Sequence, residues 1–269
     1  MAEPGWSPPE VDTRRANVAR VYDYLLGGNH NFQADQDLAR SMTAVEPNAR
    51  AVARANRAFL GRAVRFLAGA GIRQYLDIGS GIPTQGNVHE VAQAADPGAR
   101  VVYAEIDPVA VAHSRALLSR NPGAAVIDAD LRDPARILGH ETTRELIDFS
   151  QPTALLLVSV LPFIGPEDDP RGLVATLRDA LAPGSYLVVS HGTTEGRAEM
   201  AQAASTVYNR SVSSSLFMRS RADVLPFFDG FDLVDPGLVW VPAWRPDGSP
   251  GDFADPAQSW LLAGVGVKP

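Results

Sequence analysis

The chain has 269 residues, with 24 Lys and Arg against 31 Asp and Glu for a formal net charge of −7, and 45% of its residues are hydrophobic. A globular chain of this size buries roughly three quarters of its unfolded surface, so a sizeable core needs no covalent staples. The absence of cysteine excludes disulfides, thiolate catalysis and Cys-held zinc or iron–sulfur clusters, and the acidic balance argues against a nucleic-acid backbone as partner.

The opening MAEPGWSPPEVDTRR lacks the apolar core of a signal peptide, and no stretch approaches the roughly 20 apolar residues that span a bilayer. A cytoplasmic protein with small-molecule or protein partners, and no membrane partner, is expected. Residues 1–11, with Pro4, Pro8 and Pro9 and no apolar period, read as a loosely docked arm. Val18, Val21, Tyr22 and Leu25 then fall at helical spacing and Gly27-Gly28 supply a stop, which predicts a helix over Thr13–Leu26. The polar loop Asn29-His30-Asn31 follows. Helices are expected over Ala34–Val45 and Asn48–Ala70, divided by Glu46-Pro47, so residues 1–70 form an arm and a helical cap on a unit of residues 71–269.

From residue 74 the pattern alternates strand and helix. Strands are predicted at 74–78, 100–105, 124–128, 153–160 and 185–191, with helices at 87–95, 108–119 and 169–180. The apolar run TALLLVSV is what a parallel strand covered on both faces requires. Gly196–Asn209 reads as helical, and Ser220 with Asp223 three residues on begins another helix. FDLVD and SWLLAGVGV, joined by the Trp/Pro-rich 236–258, read as closing antiparallel strands, for seven in all. The fold class is therefore α/β, a doubly wound and mostly parallel sheet with an N-terminal helical cap.

Chemistry is densest at Asp77-Ile78-Gly79-Ser80-Gly81, directly after the first parallel strand. Glycines there let the backbone turn tightly and approach a ligand. Glu105 ends the next strand, 24 residues after Gly81, where a carboxylate can hold both hydroxyls of a ribose. A pyrophosphate cradle is disfavoured, because Thr84 stands where the third glycine of G-x-G-x-x-G would be and Pro83 intervenes. An acid at Asp77 would repel phosphate and suits a cationic, amino-bearing ligand. That points to S-adenosylmethionine.

The segments DIGSGIPT, GNVHEVAQ, VVYAEIDPVAVAHSRALL, DADLRDP, VYDYLLGGNHNF, RANRAFL, DALAPGSYLVVSH, RSRADVLPFFDGF and LVWVPAWRPD occur together, from about residue 14 to the C-terminus. In this the chain resembles an actinobacterial S-adenosylmethionine-dependent methyltransferase family long classed as a domain of unknown function. The resemblance implies the seven-stranded class I methyltransferase fold and its cofactor, with no named acceptor. By position it implies that Asp77, Gly79, Ser80 and Gly81 lie beside the methionine moiety, that Glu105 binds the ribose, and that Ile106 lies against the adenine. Asp130 and the Leu131 backbone would meet the adenine amino group, and Ser159 would line the methyl site. Pro162 stands in SVLPF where the family more usually has histidine, which argues against a His-based role there.

Methyl transfer needs alignment and exclusion of water more than it needs a base. The catalytic candidates are His191, at the carboxyl edge of the fifth strand, and His30. Tyr24, Asn29, His30 and Asn31 are the expected substrate or lid residues, with Tyr22 given to the core stripe. His89 reads as helix packing, and His113 and His140 as surface positions. Trp240 and Trp244 either cap an aromatic pocket or, the plainer reading, pack the C-terminal hairpin. Ser211–Ser215 reads as a loop near the site's rim. No histidine/carboxylate spacing suggests a metal site. Two other functions stay open: a cofactor-binding sensor or regulatory protein without transfer, and a nicotinamide-dependent oxidoreductase.

Overall fold

The computed structural model describes residues 12–83, 86–196, 206, 209, 215–248 and 253–269. Helix α1 is Val18–Leu26, α2 is Gln33–Val45 and α3 is Ala49–Gly69. The first helix starts later than its sequence pattern because Asn17 caps it, its side chain accepting the amide of Ala19 at 2.8 Å. It stops at Gly27, whose φ of 87° suits glycine.

Five parallel strands follow: β1 (Gln74–Ile78), β2 (Arg100–Glu105), β3 (Ala124–Asp128), β4 (Ala154–Val158) and β5 (Tyr186–Gly192). The short β6 (Asp232–Leu233) and β7 (Val239–Trp240) and the long β8 (Leu261–Val267) complete one sheet in the order β3-β2-β1-β4-β5-β8-β6, with β8 antiparallel to β5. Both β6 and β7 pair with β8, the first at Val267 and Gly266 and the second at Ala263 and Leu262. They form one outer strand, broken at the cis Asp235–Pro236 peptide bond and at Gly237. The seven-strand pattern is thus kept with its seventh member in two pieces. Proline within 231–240 hides the second piece from a periodicity reading.

Alternate residues of each buried strand serve opposite faces. Tyr75, Val101, Leu156, Val188 and Ala263 pack on one face with Phe59, Ala63 and Leu67 of α3. Leu76, Val102, Leu155, Leu187 and Leu262 pack on the other with Ile137, Val174, Leu177 and Phe227. Helices α4 (Val88–Ala95), α5 (Pro108–Leu118) and α8 (Pro170–Asp179) match the sequence pattern within two residues. Between β3 and β4 lie α6 (Pro134–Gly139) and α7 (Glu141–Leu146), six residues each and too short to show a period. The expected helix Gly196–Asn209 lies outside the described residues except for Gly196, Thr206 and Asn209, and Ser211–Ser215 except for Ser215. Among the described residues no helix is long and apolar enough to cross a membrane.

Candidate functional site

The chain turns out of β1 through Gly79 and Gly81, with φ of 71° and 69°. Gly79 has no room for a side chain, since a Cβ there would come within 2.4 Å of Val160 Cγ2. Beside Gly81 the space is open, with no heavy atom within 4 Å of where a Cβ would stand. Its amide donates to Glu105 Oε2 at 2.7 Å, and the other carboxylate oxygen accepts the amides of Ile106 at 2.8 Å and Asp107 at 2.9 Å. Two neighbouring strand ends are thereby fixed around one buried acid.

Asp77, at the end of β1, is 5% exposed. Burial pushes its carboxyl up to about 7, against the pull of Arg57, with Glu105 adding repulsion. Burial likewise raises Glu105, against its three amide donors. Two buried acids with raised proton affinity at neighbouring strand ends mark this place as a ligand site.

A cavity of about 290 Å³ opens at the carboxyl ends of β1, β2 and β4, where ligands of doubly wound sheets bind. Asp77, Gly79, Ser80, Gly81, Glu105, Ile106, Asp130, Leu131 and Ser159 all line it. Ile106 is 56% exposed, an apolar side chain presented at the rim. Asp130 pairs with Arg132 at 3.2 Å, and Arg132 also reaches Asp168 at 2.8 Å. Ser159 adopts a φ of 57°, uncommon outside glycine, and its amide donates to the Ser190 carbonyl at 3.1 Å.

The opposite wall is built from α1, α2 and α3 and from the segment after β4. Leu25, Met42, Val52, Leu60 and Phe163 make it apolar, and Met218 and Trp260 close it. Its polar members include Tyr22 and Asn56, with Asn17 at the start of α1 and Arg57 on α3. The tyrosine donates to the Ala53 carbonyl at 3.0 Å and accepts from Asn56 Nδ2 at 3.1 Å.

Several expectations are corrected. Tyr22, on the stripe assigned to the core, lines the cavity, while Tyr24 does not and instead lies under Arg50, 4.9 Å from its ring. The apolar stripe of α1 faces the cavity as well as the neighbouring helices, and sequence period cannot separate the two. Asn29, His30 and Asn31 are absent from the cavity wall. Asp23, buried at 1% exposure, accepts the His30 amide at 2.9 Å and Asn31 Nδ2 at 2.8 Å, which makes this loop a turn built on one carboxylate. The rings of His30 and His113 also meet at 3.9 Å, tilted by 42°, and His113 is half-buried and not a surface residue. His140 caps α7 through Nδ1, which accepts from Thr142.

His191 is fully buried and off the cavity wall. The Gly192 carbonyl, 2.7 Å from Nδ1, can accept but not donate, and Arg219, 2.8 Å from Nε2, can donate but not accept. The ring is therefore neutral with its proton on Nδ1 and its lone pair consumed. Burial pushes its pKa down to about 3. It cannot act as a base toward a ligand in the cavity, which corrects its candidacy.

Trp244 is fully buried against Phe59 and Phe66, and Trp240 lies under Arg221. Both pack, and Trp260, unmarked in the sequence, is the tryptophan of the cavity. Asn56 and Arg57 were also missed. Asn56 is a polar residue on the buried stripe Val52, Phe59, Leu60 and Ala63 of α3, a signal that was readable.

The residues fit S-adenosylmethionine. Ser80 Oγ is buried without a hydrogen-bond partner, the space beside Gly81 is open, and Asp77 offers a carboxylate for an ammonium or sulfonium. Glu105 stands at the end of β2 for ribose hydroxyls.

Over residues 4–269 the chain is similar to a family model described as S-adenosyl methyltransferase. Among solved structures, a candidate methyltransferase from Thermobifida fusca is 43% identical, with a TM-score of 0.92 over 98% of each chain. A protein of Streptomyces avermitilis from a family named for its undefined function is 38% identical, with a TM-score of 0.92 over 96% of this chain and 99% of its own. Mitomycin 7-O-methyltransferase is 17% identical, with a TM-score of 0.51 over 93% of this chain and 68% of its own, a likeness of fold alone. No curated protein matches the sequence.

Proposed function

Given that the chain belongs to the S-adenosyl methyltransferase family, we propose that it is an active enzyme transferring a methyl group from S-adenosylmethionine to a small molecule held between the N-terminal helices and the carboxyl edge of the sheet. The observation that carries this reading is one continuous cavity with two unlike ends, acids and the glycine loop at one and apolar side chains with Tyr22 and Asn56 at the other.

When bound, the cofactor supplies a sulfonium whose methyl carbon an acceptor lone pair can attack while the carbon–sulfur electron pair stays on sulfur. The chain's own part is to hold and align. Glu105 takes the ribose hydroxyls, Asp77 balances positive charge, Ile106 covers the adenine, and Asp130 with the Leu131 backbone takes its amino group. Ser159 stands between the two ends, and the apolar wall excludes water, so that bond alignment provides the acceleration. Arg57 and Arg132 face acids already in place, so neither forms a phosphate cradle of the kind a dinucleotide needs.

The test is production of S-adenosylhomocysteine when the protein and S-adenosylmethionine are incubated with a panel of small hydroxylated and amino aromatic compounds. Turnover with at least one compound, lost in Asp77→Asn, is expected. Tight cofactor binding with no turnover across the panel would instead make the chain a binding protein.

A further inference from the structure

The acceptor end of the cavity carries a chain of hydrogen bonds whose direction one backbone group fixes. The Ala53 carbonyl can only accept, so the Tyr22 hydroxyl, 3.0 Å away, must donate to it. With its one proton committed, Tyr22 accepts from Asn56, which places Nδ2 toward Tyr22 at 3.1 Å and Oδ1 toward Ser190. Ser190 Oγ then donates to Asn56 Oδ1 at 2.7 Å. Its own proton spent, Ser190 can only accept from Ser159 Oγ at 3.1 Å. Ser190 is fully buried and Asn56 is 3% exposed, so water does not compete for these bonds.

Ser159 and Tyr22 both line the cavity, and both send their protons into the protein. What their oxygens can offer a ligand is a lone pair. Among the described residues, the surrounding wall at this end, with Leu25, Val52, Leu60, Phe163, Met218 and Trp260, carries no charge; the charged lining residues are Asp77, Glu105, Asp130 and Arg132 at the strand ends and Arg57, which is attracted to Asp77.

Resting on the methyltransferase reading above, we infer that the acceptor is a neutral, largely apolar molecule whose nucleophilic atom bears a proton, an O–H or N–H that donates to Ser159 Oγ and so turns a lone pair toward the methyl carbon. An atom with a lone pair and no proton, such as a pyridine nitrogen or an ether oxygen, would meet Ser159 lone pair to lone pair. In the transfer, the acceptor lone pair forms the new bond to carbon and the carbon–sulfur pair stays on sulfur; the acceptor's proton stays on the methylated atom until the product leaves the cavity and is released there to bulk solvent. The serine chain cannot carry that proton away, because it ends at the amide of Asn56, which has no site to take it.

The experiment uses the full chain saturated with S-adenosylhomocysteine, and binding of that compound is read first, so failure of the cofactor reading is seen separately. Three bicyclic aromatic probes follow by calorimetry: 2-naphthol, quinoline and 2-methoxynaphthalene. We expect 2-naphthol to bind about tenfold more tightly than either proton-less probe, the worth of one hydrogen bond against a lone-pair clash. In Ser190→Ala, the Ser159 proton loses its inward partner and can face the cavity, so the preference should shrink to about twofold or reverse toward quinoline. Equal or tighter binding of quinoline by the wild type, no binding of any probe to the loaded protein, or an unchanged preference in a folded Ser190→Ala would overturn the inference. Should Ser190→Ala not fold, neutron diffraction on the deuterated wild type reads the same point directly. A deuteron on Ser159 Oγ directed at Ser190 supports the inference, and one directed into the cavity overturns it.

Discussion

Glu105 Oε2 accepts the amide of Gly81 at 2.7 Å, so the acid at the end of β2 holds the turn that leaves β1. One side chain therefore both shapes the glycine loop and presents itself to the cavity. Glu105→Ala should weaken S-adenosylhomocysteine binding ten- to a hundredfold, about 1.5–3 kcal/mol for charge-assisted bonds to a ribose. It should also lower Tm without ligand, because the amides of Gly81, Ile106 and Asp107 lose their partner. Calorimetry and thermal melts on the same protein separate the two effects. A variant with lowered Tm and unchanged affinity would remove Glu105 from the cofactor site.

Asp77 makes cofactor binding depend on pH. Its carboxyl ordinarily titrates near 3.8 and is pushed up to about 7 by burial, so the free site is partly protonated at neutral pH. A positively charged ligand favours the ionised form, so binding near pH 6.5 should release a proton and affinity should rise from pH 6 to 8, then level. Titrations in buffers of different ionisation enthalpy count that proton. Without ligand the sign is opposite. The folded chain binds the proton more tightly than the unfolded chain, so Asp77's contribution to stability is lost as pH rises from about 4 through 7. In Asp77→Asn both trends should flatten.

The two loop glycines should fail differently. Gly79→Ala forces a methyl against Val160 at 2.4 Å in a left-handed backbone, and overpacking with strain should cost about 2–4 kcal/mol of stability. Gly81→Ala keeps the strain of a φ of 69° but meets open space, so it should cost about 1–2 kcal/mol. Its methyl would stand in the cavity, and it should lose most of its affinity for S-adenosylhomocysteine. Chemical denaturation and calorimetry check the pair.

His191 should prove a folding residue. Its pKa, pushed down to about 3 by burial, lies below the ordinary 6.5, so the unfolded chain takes up a proton that the folded chain resists. Its contribution to stability is therefore full above pH 6.5 and lost as pH falls toward 3. His191→Gln should lower Tm, abolish that acid sensitivity and leave the pH dependence of turnover near 6.5 unchanged. A displaced acidic limb in the rate profile would return His191 to the chemistry.

The sheet and cofactor end were legible because they rest on local rules. A period of two, a glycine pair after a strand and an acid at the next strand's end are all read within 30 residues of chain. The acceptor end was not, because it is assembled from distant pieces. Tyr22, Asn56, Ser159 and Ser190 meet across 168 positions of sequence, and on its own each matches a core or turn residue. Asp23 shows the converse error: GGNHNF looked like a lid because its polar residues had no evident partner, and the partner is one buried carboxylate seven to eight residues earlier. The broken outer strand escaped because a proline and a glycine between Leu233 and Val239 interrupt the alternation.

Calorimetric titration of S-adenosylhomocysteine and of NAD into the wild-type protein distinguishes a methyl-donor site from a dinucleotide site. One equivalent of S-adenosylhomocysteine bound per chain, with no saturable heat from NAD, is the expected result. Saturation by NAD, or no binding of S-adenosylhomocysteine to folded protein, would contradict the assignment of Asp77, Gly81 and Glu105 to a methyl-donor site.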